Sequence, residues 1–193
     1  MVELADYAGQ YRHFEASLPG FLKGLVEELP EGSARRLVAA NLADEEGDPV
    51  PHVELFERFA RAVGAPAGAG AATASPATKA LVDNYASSLS DGALEALAGF
   101  VAYECQASEV ARTKADGLRD HYGLDDIAVS FWEHHARVDT RHSEWAQRAL
   151  GELSQVPDHA APAQFSAAAS AAFRRGADAW WSFLDEREAA ASR

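Results

Sequence analysis

The chain predicts an all-α fold, and three observations predict it. Apolar residues recur at three- and four-residue spacing through most of its length, the period of a helix with one buried face. No run of alternating Val, Ile and Thr marks a strand. Helix-ending residues also punctuate the pattern where it breaks: Ser33, Ser75, Ser90 and Asp125 can accept from free N–H groups, Pro76 suits a first helical position, and Gly47, Gly64 and Gly123 can take a left-handed stop. These signals delimit helical segments at residues 3–18, 20–29, 34–46, 52–63, 76–89, 91–121, 126–150 and 165–188. The first break falls at Pro19. The Ala/Gly-rich stretch from Gly64 to Ser75, with Pro66, is expected to be a surface connection inside one domain.

The bulk properties narrow the function. A length of 193 residues, 48% hydrophobic and 24% charged, suits one globular domain with a sizeable core. The net charge of −13 argues against nucleic acid, whose phosphates require clustered Lys and Arg, and favours a small-molecule substrate. No apolar run reaches the roughly 18 residues of a membrane span, and the acidic start Met1-Val2-Glu3-Leu4-Ala5-Asp6 is unlike a signal peptide, so a cytoplasmic protein is expected. Cys105 is the single cysteine, which excludes an intrachain disulfide and a thiolate zinc site. A metal here would be held by imidazole and carboxylate.

Three segments carry such groups. In the first, His135-x3-Asp139-x2-His142, about 100° per residue puts the three side chains in one narrow arc, in line with Phe131, Val138 and Trp145. Buried imidazoles and a carboxylate on one face form a metal-ligand set, the alternatives being a hydrogen-bonded structural cluster or a surface stripe. His134 points about 100° away, toward solvent. The second segment runs from Asn41 to His52. Asp44, Glu45 and Glu46 crowd a helix C-terminus, where the macrodipole disfavours negative charge, and His52 opens the next helix. A carboxylate and an imidazole could meet across the turn at one cation; a solvated acidic end with a surface His is the other reading. In the third segment, Glu104 is the one acid between Glu95 and Glu109 on an apolar helix, a pattern that calls for a cation or a basic partner. Lys114, further along that helix, reaches either the same cavity or solvent. His13, His121 and His159 lack companions at ligand spacing. The aromatic groups Tyr7, Tyr11, Phe14, Phe21 and Trp180, Trp181, Phe183 fit helix packing, the latter three also a stacking surface.

Taken together, Asn41 to Gly47 with His52, Tyr103-Glu104 with Lys114, and His135-x3-Asp139-x2-His142 resemble the haem-oxygenase-like diiron oxidases and oxygenases, over roughly residues 37–150. The resemblance implies a bundle of about seven helices and six metal ligands, Glu45, His52, Glu104, His135, Asp139 and His142, with Glu46 or Asp44 as substitutes for Glu45. It implies two Fe ions cycling between Fe2+ and Fe3+, O2 as co-substrate, and desaturation, hydroxylation, N-oxygenation or C–C fragmentation of a small molecule such as an amino acid or a metabolite derived from one. Lys114 and Tyr103 look like the catalytic residues beside the site in relatives that make an aminobenzoate. An external electron donor and a homodimer are compatible with it. Ferritin-like diiron proteins would need Glu-x-x-His pairs, which do not occur here. Haem oxygenase would leave His13 as the one axial candidate and the six-residue set unexplained. Two other classes stay open: a metal-independent enzyme of the same fold, related to thiaminase-like or quinone-cofactor proteins and drawing on Cys105, and a non-catalytic protein that binds a partner or a metal such as zinc or manganese.

Overall fold

The computed structural model describes residues 1–47, 50–67, 70–155 and 166–192. Among them there are seven α-helices and no strand: α1 Val2–Glu28, α2 Ser33–Glu46, α3 His52–Ala62, α4 Pro76–Asp91, α5 Ala93–Tyr122, α6 Asp126–Ser154 and α7 Ala167–Ala191. No helix among the described residues is long and apolar enough to cross a membrane. Expected ends hold where a mechanism sets them. Ser75 accepts from the Thr78 N–H and Asp125 from that of Ala128, and Gly64 and Gly123 adopt positive φ.

Four expectations change. The break at Pro19 does not occur; α1 runs through it. An interior proline withdraws one backbone hydrogen bond, a cost of about 3 kcal/mol. Leu18, Phe21, Leu22 and Leu25 on either side are buried, at about 1.5–3 kcal/mol each, so packing holds the helix together. Ser90 lies inside α4, and the chain turns at Gly92, whose φ of 123° suits glycine and which caps α5 in its place. Gly47 has φ −110°, not a left-handed stop; glycine is required there because a Cβ would fall 2.2 Å from the Ala43 carbonyl oxygen. Ser33 is the first residue of α2 rather than its cap, and its hydroxyl donates to Glu152 on α6. The expected start of the last helix at Phe165 lies outside the described residues.

α5 and α6 share the longest face of the bundle, with α7 behind α5, α2 and α3 on the far side of α6, and α4 against α7. α1 lies across α2, α3 and α4. The buried core draws on all seven helices, from Tyr11, Phe14 and Leu22 through Val38, Phe56, Leu81, Leu97 and Val129 to Phe183. Trp180 and Phe183 join it, whereas Trp181 is 63% exposed, because a step of about 100° around α7 carries it off the inward face. The chain after α3 is pinned to α1: Arg12 donates to the Pro66 carbonyl, His13 lies 2.9 Å from the Ala72 carbonyl and Gln10 donates to that of Thr73.

Candidate metal centre

α6 provides the axis of the site. His135, Asp139 and His142 are 8%, 2% and 1% exposed and lie on one inward stripe with Phe131 and Ala146. Val138 and Trp145, expected to extend that stripe, are half-buried. Trp145 instead stacks on the His142 ring at 5.7 Å, under the Arg141 guanidinium. Opposite α6, the turn between α2 and α3 places the end of one helix against the start of the next. Of its three acids Glu45 alone is buried; Asp44 is half-buried and Glu46 exposed. Ligand atoms of Glu45, His52 and His135 lie within 4.8 Å of one another. The rings of His52 and His135 are 4.6 Å apart, and those of His52 and His142 6.4 Å.

The hydrogen bonding around these groups is incomplete in a specific way. His135 Nδ1 lies 2.9 Å from the Phe131 carbonyl, which can only accept, so Nδ1 carries the proton and Nε2 keeps its lone pair. His142 has Asp44 Oδ2 3.0 Å from Nε2, while Nδ1, 3.5 Å from Asp139 Oδ1, has no hydrogen-bond partner. Nδ1 of His52 and Oε2 of Glu104 are likewise buried and without a hydrogen-bond partner. Asp44, held also by Arg141, thus orients a ring whose other nitrogen faces the cluster. That is the usual supporting arrangement for a metal-bound imidazole.

Charge is distributed unevenly among these groups. Burial, then the charge of Asp139, holds the Glu104 carboxyl well above the usual carboxylate range. Burial would also raise Glu45, but the adjacent His52 outweighs it and keeps that carboxyl low. Burial lowers His135. His142 goes the other way, to about 9: burial opposes its protonation, yet Asp139, Glu104 and Asp44 together overcome this. His134, expected in solvent, is half-buried with its ring 4.5 Å from that of His52, and burial plus the neighbouring His52 and His135 bring it down to about 4. The start of α3 lies over that flank of α6 and covers a side chain that helical periodicity alone directs outward.

A carboxylate absent from the sequence reading also faces this cluster. Glu15 of α1 is 3% exposed, and burial followed by the charges of Glu45, Asp139 and Glu104 pushes its carboxyl far up. The signal was there in the chain: like Glu104, it is a lone acid on an apolar stripe, between Tyr11 and Leu18.

Lys114 and Tyr103 are set beside this centre rather than in it. The Lys114 ammonium nitrogen donates to the Tyr7 hydroxyl and lies 4.2 Å from the centre of the Trp132 ring and 5.2 Å from that of Tyr11. The aromatic faces favour its cation, but burial wins and draws its pKa down to about 7. Tyr103 shares a 2.9 Å hydrogen bond with Tyr11 and stacks on Trp180 at 4.4 Å. Tyr11 therefore joins the two residues, with no direct contact between Lys114 and any of the six proposed ligands. Cys105 faces outward, its thiol donating to the Ala102 carbonyl. His13 and His121 lie away from the cluster, and His159 is outside the described residues.

Sequence comparison agrees with the geometry. The profile of the iron-containing redox enzyme family matches residues 5–175, and the chain belongs to that family. It is 31% identical over 195 residues to a 4-aminobenzoate synthase of Nitrosomonas europaea, covering 95% of this chain and 77% of that one. It is 29% identical over 154 residues to a 4-aminobenzoate synthase of Chlamydia trachomatis, covering 78% and 66%. A crystal structure of a CADD-like protein of unknown function from Nostoc punctiforme superposes with a TM-score of 0.77 at 17% identity, covering 96% of this chain and 81% of that one. The fold is haem-oxygenase-like, and the protein is an iron-containing redox enzyme.

Proposed function

We propose that the protein is a non-haem diiron oxidase or oxygenase that uses O2 to transform a small molecule, an amino acid or a metabolite derived from one. The observation that carries this reading is the set of orphaned buried atoms, Nδ1 of His52, Nδ1 of His142 and Oε2 of Glu104. A structural polar cluster satisfies its members with one another, because an unpaired buried polar atom costs about 1–3 kcal/mol. Here the atoms left without hydrogen bonds belong to imidazoles and a carboxylate around Glu45 and His135, the mixed nitrogen and oxygen donor set that suits iron. Glu45, His52, Glu104, His135, Asp139 and His142 would hold the metal, and a bound iron pair would supply dioxygen activation. The names of the relatives point further, to an aminobenzoate product.

The remaining chemistry falls to the chain's own groups. A Lys114 amine with pKa about 7 is substantially unprotonated near neutral pH, so its Nζ is available as a base or nucleophile. The Tyr11–Tyr103 hydroxyl pair lies beside the Lys114 amine, whose nitrogen sits over the Tyr11 ring. The rings of Tyr7, Tyr11 and Trp132 pack around the Lys114 amine and exclude water from it. The outward thiol of Cys105 counts against a cysteine-based, metal-independent reaction.

Metal analysis of protein produced with iron, with O2 uptake measured after anaerobic Fe(II) loading, tests the proposal. About two irons per chain and uptake lost in His135→Ala, Asp139→Ala and Glu104→Ala are expected. Wild-type protein that retains no more iron than those variants, or that prefers zinc or manganese and consumes no O2, would overturn it.

A further inference from the structure

α1 supplies none of the six residues above, yet it presents one charged group to them. Glu15 is 3% exposed on the buried face that also carries Tyr11, Phe14 and Leu18. It opens with Glu45 onto a cavity of about 430 Å³, lined also by Pro19, Glu46, Pro51 and Val53. Among the described residues neither a hydrogen-bond donor nor a cationic side chain meets its carboxylate. Its electrostatic neighbours are Glu45, Asp139 and Glu104, all acids. Burying a fourth carboxylate among three others is one of the costliest arrangements a fold can hold, unless a cation is to be shared. Packing alone gives no reason for it, since a Leu or Met would fill the same stripe without that cost.

We propose that Glu15 is a further carboxylate ligand of the metal centre, binding on the Glu45 side. The inference rests on the diiron reading and adds to it. Six ligands bring three negative charges to a diferrous pair carrying four positive ones, which leaves a residual charge in a buried cavity. With Glu15 the carboxylates number four and the centre is neutral. A neutral cluster avoids the solvation cost of a buried net charge, and it makes α1 one wall of the metal site.

Anaerobic Fe(II) titration against a competing chelator, on the full chain, separates the possibilities. The variants are Glu15→Gln, which keeps shape and removes charge, and Glu15→Asp, which keeps charge and withdraws it by one methylene. Mössbauer spectra of the loaded proteins and thermal unfolding of the metal-free ones are recorded in parallel. Wild type is expected to bind two irons, and Glu15→Gln to bind one of them at least about tenfold more weakly with an altered signal for that iron. Glu15→Asp should fall between. The metal-free Glu15→Gln protein should unfold no lower than wild type, because a buried like-charge contact has gone. Both irons bound by Glu15→Gln within about twofold of wild type, with unchanged spectra, would overturn the proposal and leave the diiron reading standing. A lower unfolding temperature with unaltered affinity would overturn it in favour of a packing role. Wild type that binds no more iron than Glu104→Ala would remove the diiron reading, and this inference with it.

Discussion

Nδ1 of His52 stands 2.8 Å from Oε2 of Glu45 between the end of α2 and the start of α3, an ion-pair contact in which Nδ1 lacks hydrogen-bonding geometry. With a ligand atom of His135 within 4.8 Å of both, the pair is spaced to share a cation. The turn achieves this: Glu45 is in the last turn of α2 and His52 is the first residue of α3.

The three neighbouring acids should therefore separate in their effects. Glu45→Ala is expected to abolish tight iron binding. Asp44→Asn should weaken it by about tenfold, because Asp44 orients His142 from the outer nitrogen. Exposed Glu46→Gln should leave iron per chain unchanged. Iron retained after desalting gives the answer, and equal losses in all three variants would show that the turn acts as a diffuse acidic patch.

Metal affinity should rise with pH. His142 at about 9 carries a proton in the metal-free protein near neutrality, and burial with the charge of Asp139 shifts Glu104 the same way, so metal binding displaces protons from these groups. Between about pH 6 and pH 8 the Fe(II) dissociation constant should fall, with proton release visible as a buffer-dependent heat of binding. An affinity flat across that interval would contradict the assignment of Glu104 and His142 as ligands.

Lys114 lowers stability in a pH-dependent way. Its folded pKa of about 7 lies below the unfolded value of 10.5, so between these the unfolded chain binds the extra proton. Stability must then increase as pH climbs from 7 toward 10.5, by at most about 1.4 kcal/mol per unit, and the penalty is fully present below 7. Lys114→Met should remove that slope, raise the unfolding temperature at pH 7 and abolish product formation while iron binding persists. Denaturant unfolding at several pH values measures it.

Cys105→Ser should leave turnover, iron content and stability close to wild type, since the thiol faces outward and bonds its own helix. A loss of activity of about a hundredfold or more would revive a cysteine-based reaction.

The sequence by itself determined the helical class and most element ends, and it marked Glu45, His52 and His135, whose ligand atoms the fold brings together. Those features depend on short-range physics: a 3.6-residue period, a cap such as Asp125, two imidazoles and an acid in register on one helix. Its errors arose where distant contacts outweigh local preference. Pro19 reads as a break, but apolar burial on both sides carries α1 through it. His134 reads as solvent-facing, but the start of α3 covers it. Tertiary structure alone separated the three adjacent acids: Glu45 is buried beside His52 and His135, Asp44 turns to Arg141 and the outer nitrogen of His142, and Glu46 is exposed. It also brought Glu15, thirty residues upstream of Glu45 in the chain, to the same cavity. Periodicity says which face of a helix is buried; which other buried face it meets is decided by packing, and the charge balance of this centre depends on that meeting.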